Sequence, residues 1–263
     1  MIYLKTDDEI ELLRAANLLV SRTLAELVKL IQPGVTTRKL DAVAEEFIRD
    51  HGAIPTFKGY PNPFGSDFPA SICTSVNEVV VHGIPDDTPL QEGDIVSIDC
   101  GTQLNGFCGD SCYTFCVGEV SETTKQLLRT TKEALYKGIE ECYPGRRLGD
   151  IGHAVQSHCE EAGYGVVREF VGHGVGKEMH EDPQVPNYGR RGNGRTLKNG
   201  LCIAIEPMIV MGSPEIALKP DRWGVVTRDG KVAAHFEHSI AIHHGKYDIL
   251  SSFEEIEKIV GQI

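Results

Sequence analysis

Residues 94–115 read DIVSIDCGTQLNGFCGDSCYTF, and the folding of the whole chain is read outward from them. Val96, Ile98 and Cys100 alternate with Ile95, Ser97 and Asp99, the two-residue period of a strand. Asn105-Gly106 supplies two residues that tolerate positive φ, so a β-hairpin with its tight turn there is expected. With that turn centre, Gly101 falls opposite Asp110, and Asp99 projects from the same face one pair further along. Two carboxylates on one surface repel, and a shared proton, a basic partner or a bound cation has to compensate them. A hairpin whose acids point into water is the plainer alternative.

Helices flank this stretch. Thr6 and Glu9 make a capping box ahead of Ile10, Leu13, Asn17 and Val20, which continue at helical spacing toward Leu30, with Gln32-Pro33-Gly34 as the stop. Thr36 or Thr37 caps a second helix, striped by Leu40, Val43, Phe47 and Ile48 and ended by Gly52. The pattern then recurs. Ser121 starts a run carrying Leu127, Leu128, Leu135 and Ile139 that stops at Tyr143-Pro144-Gly145, and a further helix reaches Gly163. At one constant offset Pro33 falls on Pro144, Gly34 on Gly145, Leu40 on Ile151, Ile48 on Cys159 and Gly52 on Gly163, which points to an internal duplication. The halves span about residues 6–118 and 119–250 of a single domain, 1–263. Strands are expected over 71–81 and 94–115 in the first, and over 165–171, 202–211 and 232–242 in the second. A sheet covered by two helix pairs follows, an α+β arrangement with a cleft where the halves meet.

Bulk composition narrows the function classes. With 263 residues, 41% of them hydrophobic, the chain buries a good core. A net charge of −12, from 38 acids against 26 bases, argues against a nucleic-acid surface. The start, MIYLKTDDEIELL, lacks a basic segment leading into an apolar core, and no apolar run approaches membrane-spanning length, so a cytoplasmic protein without membrane partners is expected. Eight cysteines without CxxC spacing read as reduced thiols. Cys108, Cys112 and Cys116 share the strand face of Asp110, where thiolate ligation is the minority reading beside oxygen donors.

Other polar residues join the two acids. NEVVVHGIP ends an apolar strand at His82, and VGHGVGKEMHEDP sets His173 between glycines, with His180 seven residues on. A lone histidine at a strand end is more often structural, but glycines on both sides let backbone and ligand come close. IAIEPM puts Glu206, and HFEHSIAI puts Glu237, among strand-forming apolar residues, where a carboxylate costs several kcal/mol unless paired or metal-bound. Asp99, Asp110, Glu206, Glu237 and His173 together suit two divalent ions sharing bridging carboxylates, with manganese, iron, cobalt and zinc all compatible.

The strings NEVVVHGIP, DIVSIDCG, GFCGD, GHGVGKEMHEDPQVPNY, AIEPM and HFEHS, in this order and spacing, resemble methionine aminopeptidase type I in its short bacterial form. The resemblance implies a pseudo-twofold "pita-bread" fold, duplicated helix pairs on a curved antiparallel sheet. It implies removal of the initiator methionine from peptides and nascent chains when the next residue is small. By the same resemblance Asp99 chelates one ion, Asp110 and Glu237 bridge both, and His173 and Glu206 complete the coordination of the second ion, with Glu206 also carrying a proton. His180 would contact the scissile amide and His82 would assist the leaving group. Phe57, Tyr60, Phe68, Cys73, Met179 and Trp223 fall at the positions of an apolar, polarisable methionine pocket. A monomer in transient contact with the ribosome is the implied setting.

Departures and rivals remain. Residues 61–67, PNPFGSD, read as an insertion beside the pocket mouth, and Met179 stands where an aromatic residue is expected. The short bacterial form that the resemblance implies is expected to have neither an amino-terminal zinc-binding extension nor the long type II insertion, and the large Ile2 predicts that such an enzyme keeps its own Met1. An Xaa-Pro dipeptidase or aminopeptidase P, with an additional amino-terminal domain, is the nearest alternative. A metal-free scaffold of the same fold would be expected to have lost ligands, and an iron oxygenase built on His180-Glu181-Asp182 would be expected on a scaffold of strands.

Overall fold

Thr6 opens the first helix by a reciprocal cap: its hydroxyl accepts the Glu9 N–H at 3.3 Å while the Glu9 carboxylate accepts the Thr6 N–H at 3.0 Å. In the computed structural model, which describes residues 1–261, α1 (Asp7–Val28) leads across the Pro33-Gly34 turn to α2 (Thr37–Asp50), capped by Thr36. The short β1 (Ile54–Pro55) precedes β2 (Ile72–Val76) and β3 (Val79–Val81), and then the long hairpin of β4 (Ile95–Leu104) and β5 (Phe107–Cys116). A second helix pair follows, α3 (Glu122–Ile139) and α4 (Leu148–Glu161). The rest is mostly strand: β6 (Gly165–Val166), β7 (Gly172–Gly174), β8 (Glu181–Val185), β9 (Leu201–Ile205) and β10 (Met208–Val210). After them come β11 (Ile216–Leu218), β12 (Val225–Thr227), β13 (Ala233–His235), β14 (Glu237–His243) and β15 (Lys246–Ile249), and α5 (Glu254–Val260) packs last.

Both helix pairs are anchored by the same contact. Gly34 and Gly145 each take φ 95°, open to residues without a Cβ, and their N–H groups donate to Leu90 O at 2.8 Å and Leu197 O at 3.1 Å. Isolated bridges, Thr36 to Pro89 and Arg147 to Thr196, lie beside them.

All strand pairs are antiparallel. One nine-stranded sheet runs β1-β4-β5-β14-β9-β7-β8, with β2 added to β4 and β15 to β14, and two three-stranded sheets, β13-β10-β6 and β11-β12-β3, complete the set. The hairpin register is the one its turn implies. Asn105 and Gly106 have φ 53° and 80°, Gly101 faces Asp110, and Asp99 faces Cys112. The α1 backbone lies directly on β5 because residue 109 is glycine; a Cβ there would sit 2.5 Å from the Ala16 carbonyl carbon. Ile98, Tyr113, Phe115 and Phe236 fill the layer between sheet and helices, fully buried, with the Tyr113 ring 4.9 Å from those of Phe115 and Phe236 and 4.8 Å from that of Phe253. Each such side chain contributes roughly 1.5–3 kcal/mol of transfer free energy.

Several expected strands are interrupted. The run 71–81 breaks at Asn77, held at φ 51° because its amide donates to Asp94 Oδ1 at 2.8 Å and accepts the Ile95 N–H at 3.0 Å. Of 165–171 only β6 forms. The run 202–211 breaks at Glu206-Pro207, where proline lacks the donor a ladder needs, and 232–242 breaks at Phe236. Glu206 therefore lies between β9 and β10 rather than inside a strand, and Glu237 opens β14.

Candidate metal centre and substrate pocket

Cys112 of β5 organises the acidic floor of the central cleft. It pairs across to Asp99 on one side and to Glu237 on the other, so three side chains in one row share a face, and Asp110 joins them two residues along β5. Backbone contacts fix the row: Ser111 Oγ donates to Glu237 O at 2.7 Å, and Ser239 Oγ to Asp110 O at 2.9 Å. Asn17 of α1, whose amide caps Leu13 O, accepts the Asp110 N–H at 3.1 Å.

His173 of β7 completes the group. Its Nδ1 lies 2.9 Å from Gly174 O, and a carbonyl only accepts, so Nδ1 carries the hydrogen and Nε2 presents its lone pair. That Nε2 is 3.4 Å from Asp110 Oδ2 and 3.6 Å from Glu206 Oε1. Ligand atoms of Asp110, His173 and Glu237 all lie within 4.8 Å of one another.

Electrostatics show what this arrangement lacks. Burial, followed by the Asp110 charge, pushes Asp99, Glu206 and Glu237 well above the usual carboxylate range, and burial pushes Asp110 up to about 8. Among the described residues the ion pairs of these acids are with His173 and His235 alone, and burial lowers both histidines below their ordinary value, so neither offers a standing positive charge. Asp99 Oδ1, Asp110 Oδ1 and Glu237 Oε1 are buried without a hydrogen-bond partner. Of the compensations open to such acids, a basic partner is thus absent, and shared protons or cations remain. Four carboxylates with one neutral imidazole form a donor set that fits divalent first-row ions.

A cavity of about 210 Å³ rises from this floor. Phe57, Tyr60, Phe68, Cys73 and Trp223 supply its apolar wall, and His82 and His180 its polar rim. Phe68 and Trp223 meet edge to face at 5.0 Å, and Tyr60 Oη lies 2.8 Å from His180 Nδ1. Residues 61–67 leave this wall in place because the loop is closed at its neck: Gly59 N–H donates to Phe68 O, and Phe68 N–H to Tyr60 O. Its far side rests on the loop of Trp223, whose Nε1 donates to Ser66 O at 2.9 Å. Met179 is the exception among the expected wall residues. It is buried against Gly101 and Phe57 and lines the adjoining cleft with Tyr60 and His180.

The cysteines of this region are thiol donors. Cys112 Sγ lies 3.6 Å from His235 O and Cys108 Sγ 3.4 Å from Lys177 O, and burial raises both thiols, so thiolate ligation has no support. Nor do His180, Glu181 and Asp182 converge. Glu181 pairs with Lys5 at 2.5 Å, and Asp182 pairs with the amino-terminal nitrogen. Three neighbours escaped the sequence reading. His235 Nε2 approaches Glu206 Oε2 at 3.8 Å, Phe170 meets the His82 ring at 5.3 Å, and Asn17 props Asp110. Only Asn17 carried a signal, as a polar residue on the apolar stripe of α1.

With this geometry in view, comparisons with known proteins are decisive for the family. The model of metallopeptidase family M24 matches residues 11–244. The methionine aminopeptidase of Clostridium acetobutylicum is 51% identical over 255 residues, covering 97% of this chain and 100% of that protein. The crystal structure of methionine aminopeptidase from Rickettsia prowazekii superposes with a TM-score of 0.93 at 43% identity, covering 96% of this chain and 100% of that one. An Xaa-Pro dipeptidase from Bacillus anthracis gives a TM-score of 0.75 at 22% identity, and this chain spans 62% of it, a likeness that shows the pita-bread fold alone. The chain therefore belongs to metallopeptidase family M24, on the branch of the methionine aminopeptidases.

Proposed function

We propose that this chain removes the amino-terminal methionine of peptides and nascent proteins whose second residue is small. The observation that carries the reading is the set of buried carboxylate oxygens without partners at the floor of an apolar cavity. On this reading Asp99, Asp110, Glu237, His173 and Glu206 would hold two divalent ions. Divalent ions such as cobalt, manganese, iron or zinc, when bound, supply Lewis acidity that makes water more acidic and polarises a peptide carbonyl. The methionine side chain packs against Phe57, Tyr60, Phe68, Cys73 and Trp223, whose rings and thiol suit a thioether. Met179, buried in the same apolar cluster as Phe57, lines the adjoining cleft.

Proton placement follows from the histidines. Burial lowers His180 to about 3 and His82 to about 4, so both are neutral at physiological pH. Tyr60 Oη lies 2.8 Å from His180 Nδ1; in the tautomer in which the tyrosine donates, the hydrogen of His180 is on Nε2, where it would donate to the scissile amide oxygen. His82 beside it steadies the leaving amide, and Glu206 carries the proton from the attacking water to the leaving amine. His180→Ala is expected to slow turnover about 100-fold, the scale of one lost oxyanion donor, with metal content by mass spectrometry unchanged.

The test of the activity is cleavage of Met-Ala-Ser against Met-Leu-Ser and Xaa-Pro peptides, before chelation, after it and after manganese is restored. Release of methionine from Met-Ala-Ser alone, abolished and recovered with the metal, is expected. Preference for an Xaa-Pro peptide, or turnover indifferent to chelation, would overturn the reading. Emerging chains at the ribosome, met by a cytoplasmic monomer, are the partners and setting we infer by resemblance to the short bacterial form. No helix among the described residues is long and apolar enough to cross a membrane.

A further inference from the structure

Away from the central cleft, a second set of ligand atoms converges where the first turn of α1 meets the β14–β15 hairpin. Asp7 is the first residue of α1, and His243 pairs with Lys246 across a two-residue turn, His244-Gly245, in which both residues have positive φ. Asp7 Oδ1 lies 3.9 Å from His243 Nδ1, and Asp7 Oδ2 lies 3.5 Å from His244 Nε2. One donor atom from each of the three side chains falls within 4.8 Å of the other two.

The tautomer of His243 gives this cluster its meaning. Its Nε2 is 3.1 Å from Asp248 Oδ2, an oxygen that Arg14 Nη2 also holds at 2.5 Å. A carboxylate only accepts, so Nε2 carries a hydrogen, and in the neutral ring Nδ1 presents its lone pair. That Nδ1 is buried and has no hydrogen-bond partner, yet it faces the Asp7 carboxylate. In the neutral ring, lone pair and carboxylate face each other across this gap, and a cation between them joins the two. Two donors each about 2.0–2.2 Å from a tetrahedral zinc lie about 3.3–3.6 Å apart, close to the separations seen here. A carboxylate behind the imidazole is also the arrangement that orients a metal-ligating histidine.

We propose that Asp7, His243 and His244 form a surface site for a borderline divalent transition ion, with solvent completing its coordination. Imidazole with a single carboxylate selects zinc, nickel or cobalt over magnesium or calcium. Six residues of extended strand separate His243 from Glu237, about 20 Å, so this site is remote from the cleft. Its role is a clip. An ion there ties the start of α1, the helix that carries Asn17, to the strand that carries Glu237.

The test uses zinc and two variants that leave the central acids untouched. His244→Asn removes one imidazole while keeping a residue that tolerates positive φ, and Asp7→Asn keeps side-chain shape at an exposed position. After equilibrium dialysis at about micromolar free zinc, a range open to sites of few ligands, wild type should retain one zinc per chain more than either variant. A zinc-edge anomalous map should show a peak between the three side chains, and Met-Ala-Ser cleavage should be the same in all three proteins. Equal zinc content in wild type and both variants, or uptake only at millimolar zinc, would overturn the proposal.

Discussion

Asp110→Asn should lower turnover on Met-Ala-Ser roughly a thousandfold, the equivalent of about 4 kcal/mol of lost transition-state stabilisation, and the purified protein should lose most of its bound divalent metal. Asp110 stands at the centre of the acidic floor: its carboxylate neighbours His173 Nε2, and its charge is the next largest cause, after burial, of the raised values of Asp99, Glu206 and Glu237. An amide keeps the shape but offers one neutral acceptor in place of two anionic ones, so it holds a divalent cation far more weakly. Misfolding is the obvious competing explanation, and the same electrostatics separate the two. Removing one of four crowded carboxylates relieves repulsion, so the metal-free variant should melt no lower than metal-free wild type. Glu237→Gln should behave likewise, since Glu237 shares the row of Cys112 and has a buried oxygen without a partner. Normal turnover by either variant, with wild-type metal content, would show that these acids are not metal ligands.

How much of this was legible beforehand follows from the range of the forces involved. The hairpin register depends on neighbours within a few residues, so Asn105-Gly106 was enough to set Asp99 against Cys112 and Gly101 against Asp110. Helix starts are local too, and Thr6, Thr36 and Ser121 each cap where their side chains reach the third residue on. The breaks in the later strands were not legible, because they arise from partners far along the chain. Asn77 is drawn out of line by Asp94 and Ile95, and Glu206 is turned out of the ladder just where it meets His173 and His235. A sequence reader sees an acid inside an apolar run and places it in the strand. The fold instead interrupts the strand to deliver the acid, at the cost of a few ladder hydrogen bonds. Met179 lines the adjoining cleft, in the room that the missing Cβ of Gly101 leaves beside Phe57.

Protein stripped of metal should become less stable as pH rises from about 5 to about 8, while manganese-loaded protein should not, so their melting temperatures should diverge by many degrees. The sign comes from the direction of the shifts. In the metal-free fold burial holds the Asp110 proton up to about pH 8, whereas the unfolded chain releases it near the ordinary 3.8, and Asp99, Glu206 and Glu237 shift the same way. Between the unfolded and folded values the folded state binds more protons, so each increment of pH favours unfolding: the contribution is intact below the ordinary carboxylate range and is lost until the folded values are passed. Ions that occupy the cleft require the same oxygens to be charged. Binding therefore expels protons and tightens as pH rises, which reverses the slope. Calorimetry in buffers of different ionisation enthalpy should register protons released on adding manganese near neutral pH, and Asp110→Asn should reduce that number. Melting curves of stripped and loaded protein that run parallel across this range, with no proton release, would mean the acids of the β4–β5 hairpin are compensated by something other than cations.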